Sequence, residues 1–370
     1  MKIRGAVLES IGAPSPFDQS RPLQVAELDL AEPGPTEVLV RVEAAGVCHS
    51  DLSVVDGKRP RPVPMLLGHE AAGRIEQVGA EVTDLAVGQR VIMTFLPRCG
   101  ECAGCATDGM APCVPGSVAN GGGELLAGGS RLSRDGSPVT HHLGVSGFAT
   151  HAVVDHRSLV PVEDDVPPNV AAVLGCAVLT GGGAVINVAK PRSGQTVAVV
   201  GLGGVGLAAA LTALSYEGVR VVGIDPLGHK RAAALQAGVH EALTPDEAAE
   251  KGFKADAVIE AVGSGRVFAS AIALTAPGGK TITVGLPAPD DTIELSPLAL
   301  VAEGKTLVGS YLGSAVPKRD IPVFVDMWRA GQLPLEHLVS STIALDDINR
   351  AMDDLADGSE LRQIIDFTQE

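Results

Sequence analysis

Thr196-Val-Ala-Val-Val-Gly-Leu-Gly-Gly-Val-Gly206 is a β-branched run that ends in a glycine cluster, and the Ala/Leu-rich segment Leu207–Tyr216 follows it directly, stopped by Gly218. A buried strand that feeds a tight turn and then a helix is the context in which G-x-G-x-x-G carries meaning. The first glycine allows the turn, the second lets backbone approach a pyrophosphate, and the third lets the helix pack on the strand. Free N–H groups and the dipole at the start of that helix favour phosphate. Asp225 lies nineteen residues past Gly206, at the end of the next apolar run, Arg220–Ile224. A carboxylate there accepts from both hydroxyls of an adenosine ribose and repels a 2′-phosphate, which predicts NAD rather than NADP.

Outward from this fingerprint, apolar runs at Ala257–Ile259, Thr281–Val284 and Thr306–Val308 read as further parallel strands, buried on both faces because they do not alternate. The first 160 residues differ: short segments separated by Pro and Gly, with Glu37–Glu43 alternating polar and apolar as a half-buried strand does. The Gly- and Ser-rich run from Gly116 to Ser137 reads as loop. Pro167 and Pro168 lead into a predicted helix over Ala171–Leu179. Amphipathic helical segments follow Gly313, and a last apolar strand is expected at Gln363–Phe367. An interrupted domain therefore wraps a contiguous α/β nucleotide domain, and no internal repeat is evident.

The chain of 370 residues is long enough for two cores, which must be built from Val, Ala, Leu and Ile because aromatic residues make up only 3%. The balance of 28 basic against 44 acidic side chains, a formal net charge of −16, argues against nucleic-acid or anionic-membrane partners. The amino terminus has no charged-then-apolar signal pattern, so a cytoplasmic protein is expected.

Cysteine usage supports that expectation. Cys99, Cys102, Cys105 and Cys113 form C-x2-C-x2-C-x7-C, too tight a knot of thiols for much besides a metal. Cys48 stands in Gly-Val-Cys-His-Ser-Asp and Cys176 in Leu-Gly-Cys-Ala-Val-Leu-Thr-Gly, with Gly68-His69-Glu70 between them. The six cysteines thus fit two metal sites, one closed and one with an open position, the division that separates structural from catalytic zinc. The tandem His141-His142 is read as no metal pair, because adjacent side chains do not easily converge on one ion.

These motifs in this order, together with Gly-Gly-Ser-Arg-Leu-Ser-Arg-Asp-Gly and His-His-Leu-Gly, resemble the zinc-dependent medium-chain alcohol dehydrogenases over essentially the whole chain. The resemblance is to the longer-chain subgroup that includes the class I and class III enzymes. It implies a doubly wound Rossmann sheet at 178–312 and a mainly-β GroES-like catalytic domain at 1–177 and 313–370, with a structural zinc lobe at 97–115. It assigns Cys48, His69 and Cys176 to the catalytic zinc and the four clustered cysteines to the structural one. Ser50 would pass the alcohol proton, Asp51 would orient His69, and Glu70 would lie behind the metal and transiently ligate it. His49 and Arg362 match contacts to the pyrophosphate, and Lys230 a basic group near the adenosine ribose. Thr180, Leu202, Gly204, Val205, Ala261, Val262, Val284, Leu286 and Leu312 join the glycines and Asp225 along the cofactor. Phe95, Leu143 and Leu286 match positions lining the substrate pocket, with Arg59 at its mouth.

The resemblance further implies a small alcohol or aldehyde substrate and a homodimer or tetramer pairing through Leu300–Gly313. Ser53 stands where many relatives finish the proton relay with histidine, which puts release through that route in doubt. Ser117 stands where the glutathione-dependent subclass carries arginine, and Arg59 where that subclass has an acidic or small residue. Both count against a glutathione adduct. Formaldehyde dehydrogenation on another small thiol adduct and a non-catalytic nucleotide-binding relative stay open as alternatives.

Overall fold

The structure is a computed structural model that describes residues 1–368. Two compact units emerge, one of Met1–Cys176 with Val339–Glu370 and one of Ala177–Leu338. The return to the first unit falls at 339 where the sequence suggested 313. The reason lies in the helix Pro317–Arg329. Phe324 is fully buried, and a Cβ at Gly182 would meet its ring edge at 2.7 Å. Asp320 accepts from Asn187 Nδ2 at 3.1 Å, so this helix is part of the second core.

In the second unit six parallel strands lie in the order Glu241–Leu243, Arg220–Ile224, Thr196–Val200, Ala255–Glu260, Thr275–Thr283, Thr306–Gly309. The chain winds outward in both directions from Thr196–Val200, the doubly wound arrangement, and the order reverses beside that strand. Its carboxyl end carries the glycine fingerprint, which therefore sits where open α/β sheets bind ligands. Burial of the β-branched runs on both faces is what the lack of alternation predicts.

The first unit holds a small closed barrel and a seven-stranded sheet. Its long central strand, Glu37–Val47, is buried along nearly its whole length, with only Arg41 exposed, so the half-buried reading is corrected. The alternating charges are matched inside instead: Glu37 accepts from Arg131 Nε at 2.6 Å and Glu43 from Arg90 Nε at 2.7 Å. The expected last strand, Gln363–Asp366, lies antiparallel against Ala44–Val47 and brings the C-terminal segment to the end of that strand.

Part of the supposed loop at 116–137 is helical: Val114–Gly122 forms a helix with Pro115 in its first turn, closed by Gly123 at φ 71°. Three glycines oppose helix here. Tertiary contact overrides them, since any Cβ on Gly116 would stand 2.6 Å from Pro97 O. The run Pro168–Ala189 is long and apolar enough by composition to cross a membrane, but most of it is buried within the protein.

His141 ends the barrel strand Ser137–His141. Its Nε2 accepts the Arg131 N–H at 3.1 Å and its Nδ1 lies 3.3 Å from Ser146 Oγ. Burial, with the Arg131 charge adding, pulls its pKa down to about 3. The unfolded chain takes up a proton near the ordinary 6.5 while the folded ring does not, so stability is complete above that pH and is lost as pH falls toward 3. Denaturant unfolding at a series of pH values should show the wild-type advantage over His141→Gln narrowing by about 1.4 kcal/mol per pH unit below 6. A constant gap would remove His141 as the cause.

Candidate active site and metal centres

Cys48 leaves the end of the strand Glu37–Val47 and caps the helix His49–Val55. Asp51, three residues on, reaches back so that its Oδ2 accepts the Cys48 N–H at 3.0 Å. That local capping box holds the first thiol at the helix start. His69 and Glu70 enter from Gly68, whose φ of 92° and approach to Phe148 N (2.5 Å for a Cβ) exclude other residues. Cys176 sits in a π-helical turn, Leu174–Val178, a widened turn that often marks functional positions.

These segments, far apart in sequence, bring donor atoms of Cys48, His69, Glu70 and Cys176 within 4.8 Å of one another, all buried. Cys176 Sγ stands 3.4 Å from His69 Nε2. A tetrahedron with Zn–S about 2.3 Å and Zn–N about 2.1 Å has such an edge near 3.6 Å. Among the described residues both buried Glu70 oxygens lack a hydrogen-bond partner, and Arg362 Nη1 lies 3.4 Å from Oε2 as an ion pair. Burial pushes the Glu70 carboxyl up to about 7 against the opposing pull of Arg362. Cys48 is pushed well below the usual thiol value, first by its hydrogen bond with Cys176, while Cys176 moves up for the same reason. Two soft thiols, an imidazole and an orphaned carboxylate are a donor set that fits zinc.

Asp51 Oδ1 stands 3.0 Å from His69 Nδ1, and a role in orienting that ring stays a proposal. Phe95 meets the His69 ring edge-on at 5.5 Å, and Leu143 is buried in a left-handed turn at φ 52°. Ser50 lies half-buried and His49 exposed in the first turn of the helix. Ser53 donates its hydroxyl to His49 O at 2.9 Å, which ties it to the backbone. Arg59 is half-buried, and its backbone N–H donates to Ser53 O. Arg362 is only 3% exposed and donates Nη1 to Val47 O at 3.1 Å, so its observed role is counter-ion to Glu70; its contact to a pyrophosphate stays a proposal.

The four remaining cysteines form the closed cluster. Cys99 and Cys105 sulfurs are 3.9 Å apart, and those of Cys102 and Cys113 4.0 Å, close to the 3.8 Å or so of a tetrahedral thiolate cage. The Val114 and Cys105 N–H groups donate to Cys102 Sγ at 3.4 Å and lower its pKa to about 6.

In the second unit Gly201 takes φ 89°, and a Cβ on Gly206 would stand 1.7 Å from Gly201 O. A Cβ on Gly203 would meet no protein atom within 4 Å. Leu202 and Leu227 N–H groups donate to the two Asp225 oxygens at 2.8 Å, which hold the carboxylate at the strand end. Gly204 and Val205 begin the helix Gly204–Leu214. Lys230 is half-buried on the helix Gly228–Gln236, while its neighbour Arg231 donates to Asp225 O at 2.7 Å. Val262 and Leu286 are exposed, Ala261 half-buried, and Thr180, Val284 and Leu312 buried.

Two residues escaped the sequence reading. Buried Glu260 accepts the Val262 and Gly263 N–H groups and the Thr283 hydroxyl, so it shapes the loop that presents Val262. His142 lies 3.2 Å from Asp51 Oδ1, while His141 turns to Arg131 and Ser146. The two adjacent histidines diverge, as adjacency predicted.

Residues 34–164 match the alcohol dehydrogenase GroES-like domain and residues 204–329 the zinc-binding dehydrogenase domain. Geraniol dehydrogenase of Castellaniella defragrans is 37% identical over 374 residues, 98% of this chain and 97% of its own. S-(hydroxymethyl)glutathione dehydrogenase of Synechocystis is 33% identical over 378 residues, covering 99% and 100%. The crystal structure of benzyl alcohol dehydrogenase from Acinetobacter calcoaceticus matches with a TM-score of 0.89 at 31% identity, covering 99% of both chains. With the donor clusters and fingerprint in place, the chain belongs to the zinc-dependent medium-chain alcohol dehydrogenases and is an oxidoreductase acting on alcohols.

Proposed function

We propose that this enzyme transfers hydride between a medium-chain or aromatic primary or secondary alcohol and NAD, reversibly giving the aldehyde or ketone. The single observation that carries the reading is the cluster of Cys48, His69, Glu70 and Cys176, whose three zinc-type ligands leave a further position for a substrate oxygen. Bound zinc supplies a Lewis acid toward the alcohol oxygen, and bound NAD supplies the hydride acceptor. The chain's own residues do the rest. Asp51 keeps the proton on His69 Nδ1 and so leaves Nε2 free as a ligand. Ser50 takes the alcohol proton, and water rather than Ser53 carries it onward, because the Ser53 hydroxyl is engaged with His49 O.

Apolar Phe95 and Leu143, both buried in the first unit, support an apolar substrate, in line with the geraniol and benzyl alcohol named for two relatives. Asp225 supports NAD over NADP. A cytoplasmic location is supported by six free cysteines, all in metal-type clusters. A homodimer is supported by the helix Pro297–Glu303, on which Leu298 is 77% and Val301 81% exposed, and by the edge strand Thr306–Gly309 that follows it.

Initial rates with aliphatic, benzylic and carboxylated alcohols, with and without added thiols, test the reading. Strong NAD reduction with apolar alcohols alone is expected; turnover restricted to charged substrates or to thiol adducts overturns it. Metal analysis should find two zinc ions per subunit. Cys48→Ala should lose one ion and turnover, whereas Cys105→Ser should lose the other and open 97–115 to limited proteolysis. Asp225→Ser removes a charge-assisted acceptor, and kcat/KM for NAD should fall roughly thirtyfold, about 2 kcal/mol, while NADP gains. Light scattering should give a dimer for the wild type and a monomer for Val301→Glu; an unchanged mass would remove this helix from the interface.

A further inference from the structure

Asp51 serves more groups than the orientation of one metal ligand requires. Its Oδ2 accepts the Cys48 N–H, while its Oδ1 faces His69 Nδ1 at 3.0 Å and His142 Nδ1 at 3.2 Å. All three side chains are buried, with exposures of 0–1%. The two imidazoles meet edge-on, 5.4 Å apart at 82°. An ionised carboxylate only accepts, so His69, which is hydrogen-bonded to it, must turn an N–H toward it. For His69 this leaves Nε2 with its lone pair, the atom that faces Cys176 Sγ. His142 Nδ1 is buried and makes no hydrogen bond among the described residues; it stands 3.2 Å from Asp51 Oδ1 but is not aligned on it as His69 Nδ1 is.

We infer that His142 is a positioning residue for the catalytic metal centre: it clamps Asp51 against His69 and draws charge from the carboxylate oxygen that polarises the ligating imidazole. The clamp comes from a different part of the chain than Asp51 does. Asp51 rides on the helix His49–Val55, whereas His142 precedes the left-handed positions Leu143, Gly144 and Ser146. Ser146 Oγ accepts the His142 N–H at 3.0 Å and itself donates to Leu66 O at 3.0 Å, so the ring is anchored at the barrel. The charged groups that bear on the ring are Asp51, His69 and Arg61, and its Nδ1 stands 3.2 Å from Asp51 Oδ1.

Asp51, His69 and His142 converge within 4.8 Å, as metal ligands would. An ion at this place would require His69 to give up the Nδ1 proton that Asp51 holds, and would set two metals on one imidazole. The geometry therefore favours a contact of His142 on the Asp51–His69 pair over a third metal site. This inference rests on the zinc-site reading above, and its readouts do not need turnover.

The test compares zinc-loaded wild type, His142→Leu and His142→Asn, the last retaining an N–H donor near the position of Nδ1. Release of the two ions to a chromogenic chelator is followed separately, and the catalytic site is also loaded with cobalt(II) for its absorption spectrum. His142→Leu should release the catalytic ion about tenfold faster, with an altered cobalt spectrum and the structural ion unaffected. His142→Asn should restore both readouts to within about twofold of wild type. Unchanged release and spectrum in His142→Leu would overturn the assignment. So would an asparagine variant that behaves like leucine, equal acceleration of both ions, or three metal ions bound per wild-type subunit. Absence of any ion from wild type would instead refute the zinc-site reading itself.

Discussion

The constraint on which the rest of the first unit depends is the burial of like charge. Asp51, Glu70 and the two thiols of Cys48 and Cys176 lie in one region with exposures of 0–5%, and Arg362 is the full cation paired into it. Isolated buried carboxylates are costly by several kcal/mol each. Asp51 is made tolerable by a backbone N–H and an imidazole, whereas Glu70 has only the ion pair with Arg362 at 3.4 Å. A divalent ion among the donors would compensate the remaining charge and ionise the thiols at neutral pH. The polar centre of the unit is therefore suited to hold a metal, and its apolar packing serves to hold five side chains from distant segments within reach of one another.

Backbone economy shows how tightly that is arranged. A Cβ on Gly46 would stand 2.4 Å from Glu70 Oε1, and one on Gly175 would stand 2.3 Å from Met93 O. Each of these glycines lies within two residues of a candidate ligand, so the approach of strand to strand and helix to strand sets where Cys48, Glu70 and Cys176 fall. Gly46 pairs with Ile364, which also ties the position of Arg362 to the same strand. A side chain at Gly46 would displace the Glu70 carboxylate, and one at Gly175 would push the Cys176 turn off the Met93 backbone.

The sequence announces whatever is enforced locally. The turn, strand and helix around Gly201–Gly206 are readable because the φ of Gly201 and the helix contact of Gly206 admit only glycine. The four-cysteine lobe is readable because all its sulfurs come from fifteen residues, Cys99 to Cys113. Cys48, His69 and Cys176 needed the family resemblance, since their convergence is made by tertiary structure alone. His142 and Glu260 were not legible for the same reason: nothing near His142 in sequence indicates that Asp51 faces it, and Glu260 acts on the Val262 loop from inside a strand. The helix Val114–Gly122 was missed because glycine content favours loop, while packing against Pro97 decided otherwise. The late domain boundary hides in a helix whose apolar face gives no hint of which core receives it.

The two metal clusters differ in how they are built, and that difference accounts for their separate chemistry. In the lobe, three sulfurs are partly exposed, and the supporting N–H donors at Cys99, Cys105 and Val114 belong to the same short segment. Four equivalent soft donors saturate a tetrahedral ion and leave it nothing to do but hold the segment together. In the other cluster one donor is a hard carboxylate with a guanidinium 3.4 Å from its Oε2, while the remaining three are zinc-type ligands fixed by a helix cap, a glycine turn and a π-helical turn. The carboxylate, already ion-paired with Arg362, is the donor that could yield its place to an oxygen of substrate, whereas the two thiols and the imidazole form the zinc-type set. Asymmetry among the ligands, rather than the presence of cysteine or histidine as such, is what distinguishes a centre able to exchange a ligand from one that only folds a loop.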